Sequence, residues 1–392
     1  MSRIELIATS TFGLESIVRR EIEQLGYKIT RSEDAKITYL TDERGIVRSN
    51  LWLRCADRVL LKMGEFMAET SEELFQQTKA LPWEQWIPED GKFTVTCTTV
   101  KSKLRSEPAC QKTVKKAIVE RMSECYLRDQ FPETGAEYTV KVTLLKDRAT
   151  LTIDTSGSGL HTRGYRKHPV RAPIKETLAA ALVQLSFWKP DRVLLDPFCG
   201  SGTIPVEAAL IARNIAPGLG RKFVSEEWDC VDSALWKEER ALAYGAIDYD
   251  TEIRILASDI DPSAIEAARA NSEEAGVDDC IEFSTMDFLQ RDAMPEPYSI
   301  IISNPPYGQR VGDQKILQRI NEQFGRLLSG DETLSCYVIT ADKNLEKTIL
   351  PRKPDRRRKL YNGRLETCYY QYYGKRPPRQ EGTEPARKNG DS

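Results

Sequence analysis

The stretch Arg192-Val-Leu-Leu-Asp-Pro-Phe-Cys-Gly-Ser-Gly-Thr203 joins an apolar run to a helix through two glycines, and the fold class follows from it. Val193, Leu194 and Leu195 suit a short parallel strand covered on both faces, and Asp196 places a carboxylate at its carboxyl end. Gly200 and Gly202 permit a tight turn and a close approach of backbone to a ligand. In the following run, Ile204 to Arg213, Pro205 falls where the first turn of a helix tolerates it, and helix formers follow. Strand, glycine turn and helix in that order set a ligand outside the carboxyl ends of an open α/β sheet. The Gly-x-x-x-x-Gly-Lys-Ser/Thr spacing of a triphosphate cradle is missing, and Asp196 would repel a pyrophosphate, so a cationic cofactor suits this turn better.

The Asp196-to-Thr203 turn resembles motif I of S-adenosylmethionine-dependent methyltransferases, in the branch that modifies exocyclic amines of nucleobases. The resemblance implies S-adenosyl-L-methionine as cofactor, with Asp196, Phe198, Gly200, Gly202 and Thr203 as binding residues, and a seven-stranded Rossmann-like sheet ending in an antiparallel hairpin. The chain downstream meets that expectation in order and type. Arg254-Ile-Leu-Ala-Ser-Asp-Ile-Asp261 is a second strand ending in carboxylates, with Pro262 opening a helix from Ser263 to Ala275. A carboxylate there reaches the ribose of a nucleotide bound at the first strand. Asp259 is the candidate for that bond and Ile260 for the apolar contact with adenine; Asp261 is either a reserve ribose ligand or a helix cap. Ile281 to Asp287 is a third strand, with Asp287 placed for the adenine amine and Phe288 against the ring.

The fourth strand, Ser299 to Ser303, runs straight into Asn304-Pro305-Pro306-Tyr307. Two prolines end the ladder and hold the backbone in one extended path. An exocyclic base amine offers two N–H donors. Held by two acceptors, the Asn304 side-chain oxygen and the Pro305 carbonyl, its nitrogen becomes more electron-rich and attacks better. Tyr307 supplies a face on which the base stacks, a role that phenylalanine would also fill. Because a methyl sulfonium is already activated, such a site needs alignment and electrostatics more than a strong general base. Asn304, Pro305, Pro306 and Tyr307 are therefore the candidate catalytic residues.

The amino-terminal part reads as two small α+β modules. Ile4 to Ala8 is strand-like, Thr11 to Leu25 has helical spacing ending at Gly26, Lys36 to Leu40 is a strand, and Asn50 to Lys62 reads as a second helix running into a strand. In the second module a helix begins at Ser71, Phe93 to Val100 alternates as a half-buried strand, a helix spans Ser106 to Cys125, and the strands at Tyr138 and Ala149 form a hairpin. Its order and its basic residues Lys101, Lys103, Arg105, Lys112, Lys115, Lys116 and Arg121 resemble a THUMP domain, an RNA-binding module, with the ferredoxin-like domain that usually precedes it. The segment Ser158 to Leu178, with Gly164-Tyr165-Arg166, resembles the linker between THUMP and methyltransferase domains in the family that modifies guanines of large-subunit ribosomal RNA or of tRNA. The lysines of the second module also suit a plain solvated helix face.

The expected division is residues 1–64 ferredoxin-like, 65–157 THUMP, 158–175 linker, 176–374 methyltransferase and 375–392 a disordered tail. The expected function is transfer of a methyl group to the N2 amine of a guanine, in 23S rRNA or else in tRNA. DNA N6-adenine methylation and a non-enzymatic RNA-binding assembly factor are the alternatives. Composition agrees with a multidomain globular protein: 392 residues, 40% hydrophobic, 30% charged, net charge −2. No global positive charge draws nucleic acid, so local basic patches must. Nine cysteines without a Cys-x-x-Cys pair suit a reducing cytoplasm and argue against zinc, and neither His161 nor His168 has a carboxylate or cysteine cluster that would make it a metal ligand or catalyst. No apolar run is long enough to span a bilayer, and the amino terminus lacks a secretory pattern. The oligomeric state is left open.

Overall fold

The computed structural model describes residues 3–167, 174–307, 313–342, 345–349 and 352–378. A first sheet is built from β1 (Ile4–Ser10), α1 (Glu15–Gln24), β2 (Lys28–Glu33), β3 (Lys36–Thr41), α2 (Glu43–Trp52), β4 (Ala56–Met67), α3 (Ser71–Lys79), β5 (Lys92–Val100), α4 (Glu107–Tyr126), β6 (Glu137–Leu145) and β7 (Arg148–Asp154). The second contains α5 (Glu176–Leu185), β8 (Leu194–Asp196), α6 (Thr203–Ala212), α7 (Ser233–Gly245), β9 (Ile255–Asp259), α8 (Pro262–Glu274), β10 (Ile281–Thr285), β11 (Ile300–Ser303), α9 (Asp313–Gly330), β12 (Ser335–Thr340), α10 (Leu345–Thr348), β13 (Arg356–Asn362) and β14 (Leu365–Tyr372).

The two amino-terminal modules share one sheet, ordered β2-β3-β1-β4-β7-β6-β5. The 12-residue β4 joins them, pairing antiparallel with β1 on one side and β7 on the other. Alternation places Leu6, Ala8, Val59, Leu61, Val140, Val142, Leu151 and Ile153 in one core with Ile17 and Val18 of α1 and Val114 and Ile118 of α4. The opposite face carries Thr9, Lys36, Arg58, Thr96, Thr98, Lys141, Thr150 and Thr152 around a shallow pocket.

The second helix begins earlier than its apolar spacing suggests. The Asp42 side chain accepts the Gly45 N–H and starts α2 at Glu43, and the helix ends at Trp52. The buried Glu21 carboxylate then takes the backbone N–H groups of Arg54 and Cys55, which turns the chain into β4.

The second sheet is ordered β10-β9-β8-β11-β12-β14-β13. The first five strands run parallel, while β14 is antiparallel to both β12 and β13. This is the seven-stranded Rossmann-like arrangement expected from motif I. The closing turn differs by one residue from the expected Asn362-Gly363: Asn362 pairs with Leu365, so Gly363 and Arg364 form the turn, with Gly363 at φ +63°.

Residues 158–167 are not a loose charged linker. Arg163 is 4% exposed, donates to the carbonyls of Leu160 and Arg54, and lies 3.4 Å from Glu207 of α6; the Tyr165 hydroxyl donates to the same carboxylate at 3.0 Å. Arg221 donates to the carbonyls of Ser158, Gly159 and Thr162 from the other side. The Arg54 carbonyl, the Glu207 carboxylate and the Arg221 guanidinium, from three separate segments, hold the linker in one path. His168 and Arg171 fall outside the described residues, as does the tail beyond Pro378.

Candidate active site

The site forms where β8, β9, β10 and β11 end side by side. Asp196, last in β8, is 1% exposed. Its Oδ1 accepts the Ser303 hydroxyl at 2.7 Å and the Phe198 N–H at 3.2 Å. Burial nevertheless pushes its carboxyl up to about 7 against those two donors, with the nearby Asp259 charge adding to the rise. The turn then folds back: Cys199 N–H donates to Ser258 and Gly202 N–H to Cys199. Gly200, at φ +53°, gives its N–H to Asp259 Oδ2 at 3.0 Å, so the first and second strand ends are tied by a carboxylate.

The two carboxylates after β9 separate by geometry. Asp259 borders the central cavity and also accepts the Asp261 N–H through Oδ1. Asp261 instead caps α8, accepting from the Ser263 N–H and hydroxyl, and these bonds hold its carboxyl below the usual range. Ile260 is 67% exposed and borders the cavity. Asp287 accepts the Leu289 N–H and borders the same space. Phe288 is mostly core, packed against Phe198 at 5.0 Å and Phe324 at 4.6 Å between ring centroids, with an edge reaching the cavity wall.

The cavity, about 1080 Å³, is bounded by Asp196, Phe198, Gly200, Thr203, Asp259, Ile260, Asp287 and Phe288 together with Asn304, Pro305, Pro306 and Tyr307. Gly202 alone among the expected residues does not border it. With φ +80° and only 3.0 Å from its would-be Cβ to Ala268 Cβ, Gly202 lets α6 start against α8. Thr203 accepts from Arg166 Nη2 at 2.9 Å, a guanidinium that also holds the Ile174 carbonyl and sits 3.4 Å from Glu176.

Tyr307 does more than present a ring. Its hydroxyl donates to Asn304 Oδ1 at 2.5 Å, which leaves that oxygen a second lone pair. Burial pushes the Tyr307 hydroxyl up to about 12, so it stays a donor. Sequence reading missed this bond because it spans a turn whose path the prolines set. It also missed Asn362, Gly363 and Leu365 of the last hairpin and Ile316 and Arg319 of α9, all of which border the cavity; their only signal was nearness in space. Among the described residues no cluster of His, Cys, Asp or Glu is placed to hold a metal, and no helix is long and apolar enough to cross a membrane. Burial pulls His161 down to about 4, which keeps it neutral, and it does not border the site.

A seven-stranded sheet with an antiparallel end, a motif I turn and a cavity at the carboxyl ends of its strands define a class I methyltransferase. Comparison with known proteins narrows this. Residues 163–371 match the RMKL-like methyltransferase domain, residues 5–60 the RlmL ferredoxin-like domain and residues 68–154 the THUMP domain. The chain belongs to the RMKL-like methyltransferase family with amino-terminal ferredoxin-like and THUMP domains. It is 46% identical over 388 residues, 98% of this chain and 100% of the relative, to Bacillus subtilis (strain 168) "Putative RNA methyltransferase YpsC". Among solved structures it resembles a "predicted N6-adenine-specific DNA methylase" from Listeria monocytogenes str. 4b F2365 (46% identity, TM-score 0.91, 96% of this chain and 97% of the other). It also resembles SMU.472, described as "a putative methyltransferase complexed with SAH" (40% identity, TM-score 0.91, 96% and 100%).

Proposed function

We propose that the protein transfers a methyl group from S-adenosylmethionine to the exocyclic N2 amine of a guanine in RNA, with 23S rRNA the substrate and tRNA the second choice. The observation that carries this reading is the shared cavity: Asn304-Pro305-Pro306-Tyr307 and the motif I turn line one space. The residues present fit the cofactor. A carboxyl desolvated to a value near 7 at Asp196 is held ionised by a cation, Gly200 leaves the wall bare of side chain, Asp259 suits a ribose and Ile260 an adenine face. When bound, S-adenosylmethionine supplies an electrophilic methyl group.

The chain's own part is positioning. Asn304 Oδ1, oriented by the Tyr307 hydroxyl, accepts one N–H of the amine, and the Pro305 carbonyl accepts the other. The nitrogen lone pair is then aimed into the cavity, and one amine proton passes to solvent as the methylated product leaves. Tyr307 and the rim residues Ile316 and Leu365 cover the faces of the base and exclude water.

One relative carries a DNA adenine label, and Asn-Pro-Pro-Tyr suits adenine and guanine amines alike, so the motif does not choose between them. The THUMP domain favours RNA. The presence of Asp196, Gly200 and Asn304 around one cavity favours an enzyme over an assembly factor. Mass spectrometry of nucleosides from 23S rRNA and tRNA of a deletion strain tests the proposal. Loss of N2-methylguanosine from 23S rRNA is expected, and loss of N6-methyladenosine from DNA or RNA instead would overturn it.

A further inference from the structure

Beside the cavity, two aromatic rings from different domains meet at the surface. Phe12, on the loop after β1, is 47% exposed, and its ring lies 6.2 Å from that of Tyr361 in β13, edge to face at 75°. A single exposed phenylalanine needs no explanation, but this one is held in place. Gly13, at φ +93°, brings the loop so close to β13 that a Cβ would sit 2.8 Å from the Lys359 carbonyl and 3.1 Å from a Leu360 methyl. The Glu15 carboxylate accepts the Gly13 and Ala35 N–H groups and fixes the loop from below. Lys359 Nζ lies 5.6 Å from the centre of the Tyr361 ring. The next two residues of β13 and its turn, Asn362 and Gly363, border the catalytic cavity, and Arg364 beside them is exposed.

We propose that Phe12, with Tyr361 set nearly perpendicular beside it, forms a stacking platform for an unpaired RNA base next to the target nucleotide. The proposal rests on the reading of RNA as substrate. A target amine reaches Asn304 only if its nucleotide leaves the stack, which strips its neighbour of a stacking partner; an aromatic surface one residue from the cavity rim replaces it. Rigid rings lose little entropy on contact; Lys359 is paired with Glu366 at 2.6 Å, which leaves the exposed Arg364 as the cation beside the platform for a connecting phosphate. Because the platform is half ferredoxin-like domain and half methyltransferase hairpin, it would exist only while the two are docked.

The test uses the full-length protein and guanosine-centred single-stranded RNA oligonucleotides, intact or with an abasic residue on either side of the guanosine. Binding is read by fluorescence anisotropy, with S-adenosylhomocysteine affinity and melting temperature as controls. Phe12→Leu should weaken binding of intact RNA roughly five- to tenfold, the lower part of the range for one stacked base, with both controls unmoved; Phe12→Tyr should restore it. On one of the two abasic RNAs the parent and Phe12→Leu should bind equally. Intact RNA bound as tightly by Phe12→Leu as by the parent would overturn the platform while leaving the RNA reading standing. A parent that binds S-adenosylhomocysteine but no RNA would overturn both.

Discussion

Burial of Asp196 and use of its charge oppose each other. With its carboxyl near 7, the ligand-free protein is penalised for ionising it, so stability is fully present below 3.8 and is lost as pH rises through about 7. A bound cation reverses the preference. Affinity for S-adenosylmethionine should therefore climb as pH rises from 6 to about 7.5 and then level off, with proton release below 7 visible by calorimetry in buffers of different ionisation enthalpy. In Asp196→Asn both the pH dependence and most of the affinity should vanish; a parent profile flat between pH 6 and 8 would contradict the assignment. Asn304→Ala should lower methyl transfer about a hundredfold or more, as loss of one preorganised electrostatic partner does. Tyr307→Phe keeps the ring but frees the Asn304 amide, so kcat should fall about three- to tenfold, the worth of one hydrogen bond, with KM for RNA unchanged. Gly202→Val, which the turn alone marks as a cofactor-binding change, should act through folding. A side chain at φ +80° against Ala268 costs roughly 1–3 kcal/mol, seen as a lower melting temperature. The motif residues that border the cavity were legible because strand-end carboxylates, a glycine turn and Asn-Pro-Pro-Tyr each stand out in sequence. The role of Gly202 was not, because its partner lies on another helix.

Among the elements, strands that alternate and helices with caps were readable locally. Phe93 to Val100 and the hairpin at Tyr138 and Ala149 lie where their periodicity puts them. The fusion of two modules through β4 was not readable, since strand pairing is set by partners distant in sequence; nor was the one-residue shift of the Gly363-Arg364 turn, where two dipeptides both suit a hairpin. The basic stretch divides likewise. On α4, Lys115 is 3.7 Å from Glu133, Lys116 is 3.7 Å from Glu120, and Arg121 is gripped by Glu84. Each of these three cations has a carboxylate beside it, closest at Arg121. The loop before α4 differs: Lys101 and Arg105 border an open notch with Thr99, Ser102, Lys103 and Asp147. Lys101→Glu with Arg105→Glu should weaken RNA binding and shallow its log–log salt dependence by about one unit per lost phosphate contact. Reversal of Lys112, Lys115 and Lys116 should do much less. Gel-shift titrations across a salt series would separate the two, and equal losses would restore α4 to the interface.

For the whole molecule, the question is whether the RNA-binding half and the catalytic half are tethered or built together. One cluster of buried side chains runs from Leu6 and Val114 in the first half through Leu182 to Ile300, Tyr337 and Tyr369 in the second. Polar bonds reinforce it: the Arg44 side chain reaches Glu238 and Glu239, Arg20 reaches Gln184, and Arg163 sits buried between the Arg54 carbonyl and Glu207. Arg163 decides the matter energetically. Removing one partner of a buried pair strands the other charge and costs about 3–5 kcal/mol, whereas an exposed pair such as Arg19 with Glu23 is worth about 0–1 kcal/mol. Arg163→Ala should therefore lower the melting temperature by many degrees and Arg19→Ala by almost none. High salt should not reproduce the first effect, because water does not reach that pair. If the halves are built together, Arg163→Ala should also weaken S-adenosylhomocysteine binding below its new melting temperature, since Glu207 lies on the helix that follows the motif I turn. A variant that melts earlier but binds S-adenosylhomocysteine as the parent does would mean that the catalytic half holds its shape without its partner.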